Sequence, residues 1–167
     1  MAVRRKTKAE IEKMRAAGRV LRKIHDHCKD ICKPGITTQE IDDEAGRLFE
    51  KYGVRGLFKN YPTYRKGEGF PSNLCISVNE VVVHGIASDY KIKDGDIVGI
   101  DCGVQLDGWC ADAAQTIMVG NVSPEARRLC EVTQEVLQLA IDNIKPGRKW
   151  SQIARLMQAH AEQAGLG

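Results

Sequence analysis

Between Asp96 and Gly120 two runs of strand-forming residues are joined by Asp107-Gly108, and no other segment restricts the fold as tightly. A two-residue type I′ turn needs positive φ at both central positions, and Asp-Gly meets that demand at low cost. With those residues at the tip, Leu106 faces Trp109, Gln105 faces Cys110, Gly103 faces Asp112 and Asp101 faces Ala114. Asp101 and Asp112 then share one side of the ribbon as diagonal neighbours, about 7 Å apart at Cβ. Both fall mid-strand, where Asp is disfavoured, and the residues around them (Gly103, Cys110, Ala114) are small. The bland alternative has one carboxylate capping a turn and the other solvated. Two carboxylates that converge without a Lys or Arg beside them repel, unless a cation lies between them. The hairpin therefore predicts a metal site.

The rest of the composition sets bounds. At 167 residues, 43% hydrophobic and 28% charged, the chain suits one globular domain with a core of its own. No apolar run is long enough to cross a bilayer, and no apolar segment follows the basic start as in a secretory signal. The expectation is a cytoplasmic protein with no membrane association. Its six cysteines are expected as free thiols. In the hairpin register Cys110 shares a side with Asp112 while Cys102 points the other way, and Cys28 and Cys32, four apart on a helix, read as packing. Residues 1–33 carry eleven Lys and Arg against four acids, a net +7, and the remainder is −4. That basic stretch is also amphipathic, with Ile11, Met14, Gly18, Leu21, Ile24, Cys28 and Ile31 on one stripe. Its outer face reads either as solvated charge or as a footprint for RNA or a ribosomal surface.

Periodicity gives a mixed α/β (α+β) order. A helix from Thr7 to Cys32 stops at Pro34-Gly35, and a second opens at a Thr37/Glu40 capping box and ends at Gly53. Residues 56–71 read as an irregular loop, followed by strands near Leu74–Val78 and Val81–His84 and then the hairpin. Ser123-Pro124 starts a third helix, with Leu129, Val132, Val136, Ala140 and Ile144 on its stripe. Lys145-Pro146-Gly147 repeats Lys33-Pro34-Gly35 at an offset of 112 residues, as Ile153 does Ile41, Glu162 Glu50 and Gly165 Gly53. An internal duplication is expected, with residues 1–122 as one half carrying the hairpin and 123–167 as the opening helices of the next. On that reading the chain is a single partial domain, roughly two-thirds of a molecule.

The run Gly69-Phe70-Pro71-Ser72-Asn73-Leu74-Cys75-Ile76-Ser77-Val78-Asn79-Glu80-Val81-Val82-Val83-His84-Gly85-Ile86, with Asp94-Gly95-Asp96, Asp101 and Asp112, resembles the type I methionine aminopeptidases. So does the opening Lys8–Gly18 segment, and the likeness spans nearly the whole chain. The resemblance implies a pita-bread fold, here incomplete at the C-terminus, enclosing two divalent metal ions of the Mn, Fe, Co or Zn kind. It implies removal of the initiator methionine from nascent polypeptides whose second residue is small. By matching position Asp101 is the terminal ligand on one ion, and Asp112 bridges both. His84 hydrogen-bonds the scissile region of the substrate and helps stabilise the tetrahedral intermediate; Phe70 and Cys75 line the methionine pocket. His25, His27 and His160 are expected to be plain surface or core residues.

The sequence departs from the family pattern at Gly103 and Ala87, where relatives often carry Thr and Pro. The remaining ligands of that family, one histidine and two glutamates, would fall after Gly167. A monomer is expected once the molecule is complete. Two other readings stay open: a metal-free pita-bread module that binds protein or nucleic acid, and a dimer whose two hairpins build a four-aspartate site.

Overall fold

In the computed structural model the described residues are 4–62 and 67–166, and the chain divides after Asn121 into two compact units. The first contains α1 (Lys8–Ile31), α2 (Thr38–Tyr52), β1 (Arg55–Gly56), β2 (Cys75–Val78), β3 (Ile97–Leu106) and β4 (Trp109–Met118). The second contains α3 (Pro124–Asn143) and α4 (Trp150–Gln163).

The helices begin where short polar side chains can satisfy their first amides. Thr7 Oγ1 accepts the Glu10 amide at 3.2 Å while Glu10 Oε2 accepts the Thr7 amide at 2.8 Å. The same reciprocal cap opens α2 at Thr37 and Glu40, with distances of 3.1 and 2.7 Å. Ser123 Oγ accepts the Ala126 amide at 3.1 Å and starts α3.

β3 organises the sheet. It pairs antiparallel with β1, β2 and β4, and β4 meets it in the register that the Asp-Gly turn predicts, Leu106 opposite Trp109 and Asp101 opposite Ala114. Asp107 (φ 48°) and Gly108 (φ 82°) both take positive φ, as a type I′ turn requires. Alternation then gives β3 two unlike sides. Val98, Ile100, Cys102 and Val104 are wholly buried, packed with Leu21, Ile24 and Cys28 of α1 and Ile41, Ala45 and Leu48 of α2. Each such side chain removed from water contributes about 1.5–3 kcal/mol. The other side carries Gly99, Asp101 and Gly103.

Three expectations need correction. No strand forms over Val81–His84: after Val78 the chain turns at Asn79 (φ 52°), and Val81, Val82 and Val83 are 43, 88 and 61% exposed. Three valines favour an extended chain, yet a strand needs a neighbour, and the Asn79 side chain instead holds the Ile97 amide at 3.0 Å and closes a loop. The irregular loop expected over 56–71 is present but begins at Leu57, since Arg55–Gly56 pairs with β3; within it Pro62 bridges Gly69, and the Asn60 amide donates to the Phe70 carbonyl at 2.8 Å. Residues 63–66 of that loop lie outside the described residues. The apolar stripes are also only partly covered. Ile11 and Met14 of α1 are 42 and 40% exposed, near the tip of the hairpin, where the sheet narrows to two strands. On α3, Val132 and Ala140 are buried but Leu129 and Ile144 are exposed, because two packed helices cover little beyond their shared seam.

The loop between β2 and β3, which carries His84, is tied down by Asp96. Its buried carboxylate accepts from Asn79 Nδ2 (2.9 Å), Tyr90 Oη (3.0 Å) and the Lys93 amide (2.9 Å). Burial opposes the charge, but these donors outweigh it and hold the carboxyl below its ordinary value. A depressed carboxylate contributes stability above the unfolded value and loses it as pH falls through the folded one. Asp96→Ala is therefore expected to cost about 2–3 kcal/mol at neutral pH and to flatten the acid limb below about pH 4, as read by urea unfolding across pH.

Candidate metal centre

The predicted diagonal of carboxylates is present. Asp101 and Asp112 occupy adjacent strands one pair apart, each on the side of β3 away from α1 and α2. Asp112 leans across its partner strand: a Cβ placed on Gly103 would sit 2.9 Å from Asp112 Oδ2 and 2.8 Å from Phe58 Cε1. Gly103 thus leaves room for both the carboxylate and the ring. Asp101 is half-buried, and its Oδ1 is shielded from solvent without a hydrogen-bond partner among the described residues. Burial raises the Asp101 carboxyl above its ordinary value and the Asp112 charge raises it further, while His25 and His84 pull it down. Among the described residues neither carboxylate meets a Lys or Arg in an ion pair.

Cys75 of β2 is the direct neighbour of Asp101 across the sheet. Burial first, then the charges of Asp101, Asp112 and Asp42, push its thiol up to about 11, so it is a neutral, soft wall of the site. His84 is exposed and left-handed (φ 58°). The residue after it explains that strain. Gly85 lies against β2, where an added Cβ would come within 2.1 Å of the Ile76 carbonyl oxygen. Its amide donates to Ser77 Oγ at 3.1 Å, and its carbonyl accepts the Ile76 amide at 2.9 Å. Gly85 thus marks a close approach of backbone to backbone, with β2 as the element approached. Gly85→Ala is expected to cost about 3 kcal/mol and to displace His84, measured as a drop in the urea midpoint. Phe70 is half-buried and bonded through its backbone to Asn60 and Tyr61; it stands in the loop, not on the sheet.

Sequence reasoning missed two neighbours of the site. Leu57 and Phe58 flank Gly103, and the Leu57 amide donates to the Gly103 carbonyl at 3.0 Å. An apolar pair next to the β1 register was the available signal. His25, expected to be a bystander, is 4% exposed and bonded to β4.

The donor set suits a hard divalent cation in part. Two carboxylates converge, and a shielded oxygen lacks a partner, which is what a ligand awaiting an ion would show. Among the described residues no group of three or more His, Cys, Asp or Glu side chains comes together as a complete cage. The chemistry of the pair fits part of a coordination shell and not the whole of one.

Over residues 12–167 the chain matches metallopeptidase family M24. The chain belongs to that family. Among curated members of family M24, it is 41% identical over 157 residues to methionine aminopeptidase 1 of Bacillus subtilis (strain 168), covering 94% of this chain and 61% of that one. The methionine aminopeptidase of Aquifex aeolicus (strain VF5) is 37% identical over 167 residues, covering 99% and 65%. Among solved structures, methionine aminopeptidase from Rickettsia prowazekii superposes with a TM-score of 0.90 at 34% identity, over 97% of this chain and 63% of that chain. Prolidase from Pyrococcus furiosus shares the fold alone, with a TM-score of 0.81 at 23% identity over 96% of this chain and 44% of that one. The pita-bread architecture expected from the sequence is the one these M24 structures share. The chain spans about three-fifths of the length of the curated relatives that it matches.

Proposed function

We propose that this chain is the metal-carrying part of an aminopeptidase that removes N-terminal methionine from nascent polypeptides in the cytoplasm when the second residue is small. The observation that carries it is the Asp101–Asp112 diagonal, aimed to one side of β3, with a shielded oxygen lacking a partner. In this reading Asp101 and Asp112 would together hold divalent metal of the Mn, Fe, Co or Zn kind. When bound, such ions supply Lewis acidity, which makes water a usable nucleophile near neutral pH. His84 donates to the scissile region as its carbonyl oxygen gains charge, and the loop pinned by Gly85 and Asp96 fixes where that donor stands. The neutral Cys75 thiol and Phe70 offer apolar surface for a methionine side chain. Two carboxylates leave an ion needing further ligands, so full activity requires donors beyond this pair.

The same reading makes α1 a contact for the ribosome. All eleven Lys and Arg in the first 33 residues are exposed, and seven lie on α1 opposite its buried stripe or beside it. The parallel between α1–α2 and α3–α4, each broken by Lys-Pro-Gly, supports reading them as the leading helices of two duplicated halves.

The test is cleavage of Met-Ala-Ser with Mn²⁺ or Co²⁺, by this chain alone and by this chain supplied with the C-terminal segment of a relative. Slow or absent turnover alone and recovery with the segment is the expected result. Failure of every such segment to restore turnover, together with no Mn²⁺ uptake by calorimetry, rejects the proposal.

A further inference from the structure

α1 places a histidine where its stripe calls for a hydrocarbon. Leu21, Ile24 and Cys28 bury the same face, and His25 joins them at 4% exposure. Its Nε2 lies 2.8 Å from the Ala113 carbonyl oxygen. A carbonyl can accept and cannot donate, so Nε2 carries the proton and Nδ1 is the bare nitrogen. That Nδ1 is buried with no partner among the described residues. Desolvation lowers the imidazole below its ordinary value, although the Ala113 bond and the Asp101 and Asp26 charges oppose it, and a neutral ring is consistent with an Nε2–H donor. A leucine here would fill the stripe and leave no orphan nitrogen. What histidine supplies in exchange is the bond to β4.

A second bond answers the first. Gln115 Nε2 donates to the His25 backbone carbonyl at 3.0 Å, so helix and strand hold each other at two points. Both anchors follow Asp112 on β4, Ala113 directly and Gln115 three residues on. β4 pairs with β3 on one edge, and Asp112 leans across that pair over a glycine that offers no side chain to steer it. The position of its carboxylate therefore depends on how firmly its own strand is held.

We propose that His25 is a positioning residue for Asp112, fixing the height and tilt of β4 from the opposite side of the sheet so that the Asp112 carboxylate is held where a divalent ion would meet it. The inference rests on the metal-site reading above. A group that orients a ligand in this way typically commands 10- to 100-fold in metal affinity.

The test uses the whole chain with Mn²⁺ as probe and the variants His25→Leu, His25→Gln and Gln115→Ala. The leucine variant, with its apolar side chain suited to the stripe, is expected to keep a cooperative unfolding transition yet bind Mn²⁺ about 10- to 100-fold more weakly by calorimetry. Gln restores a donor and should recover most of that loss. Gln115→Ala should show a smaller loss in the same direction. A readout independent of metal is amide hydrogen exchange at Asp112–Gln115, expected to quicken in the leucine variant and return towards wild type in the glutamine variant. Imidazole ¹⁵N shifts should report a neutral Nε2–H tautomer. Wild-type Mn²⁺ affinity in the leucine variant, or unchanged exchange at those amides, overturns the proposal; so does a Gln variant that folds yet recovers neither. If wild type and Asp112→Asn alike bind no Mn²⁺, the metal reading fails, and the exchange measurement still decides whether His25 holds the strand.

Discussion

Asp112→Asn is expected to weaken Mn²⁺ binding by more than the roughly 10- to 100-fold that loss of a supporting group costs, while raising the thermal midpoint of the protein in EDTA. The two effects have opposite signs for one reason. Asp101 and Asp112 face the same space with no Lys or Arg paired to either among the described residues, and the raised Asp101 carboxyl records both the burial and the repulsion. An ion turns that repulsion into attraction, so the charge that favours the loaded state disfavours the empty one. Asn keeps the shape and removes the charge. Calorimetric titration gives the first effect and scanning calorimetry in chelator the second. A variant that loses metal affinity and also unfolds earlier in EDTA would show that Asp112 is a structural acceptor instead.

His84→Ala is expected to lower kcat by about 10²–10³ in this chain supplied with the C-terminal segment of a relative, with little change in KM or Mn²⁺ affinity. His84 sits in a loop, off the sheet that carries the carboxylates, so on the proposed reading its removal takes away a donor to developing charge and leaves Asp101 and Asp112 in place. Its left-handed backbone offers an internal control. His84→Gly removes the donor and relieves the strain, so it should match the alanine variant in kcat while raising stability by about 1 kcal/mol. Steady-state kinetics and urea unfolding separate the two. A KM that rises while kcat holds would assign His84 to ground-state binding.

The parts of this fold that local chemistry dictates could be read from the sequence. Asp107-Gly108 fixed the turn, the turn fixed the register, and the register placed Asp101, Gly103 and Asp112 as they stand. Thr37 and Ser123 marked helix starts because a hydroxyl near a free amide needs no tertiary partner. The valines at 81–83 misled because strand preference says nothing about whether a neighbouring edge is free, and that is decided by Asn79 and Asp96, seventeen residues apart in sequence. Phe58 was missed for a related reason, whereas His25 is buried, one of the two places expected for it. Each earns its place through a contact with the hairpin, over 45 and 88 residues of chain, and no local pattern records such a contact. Their residue types gave partial hints: a polar ring in an apolar stripe, and an apolar pair in a polar loop.

The hydrogen atom that serves as a side chain at position 103 has a further effect. A methyl or anything larger there would crowd the neighbouring acid, and the room left free is shared by a phenyl ring and a carboxylate. With no side chain at 103 to steer the acid, the role proposed for His25 puts that control on the far side of the strand wall. On that proposal, changes in α1 reach the ion site from outside it.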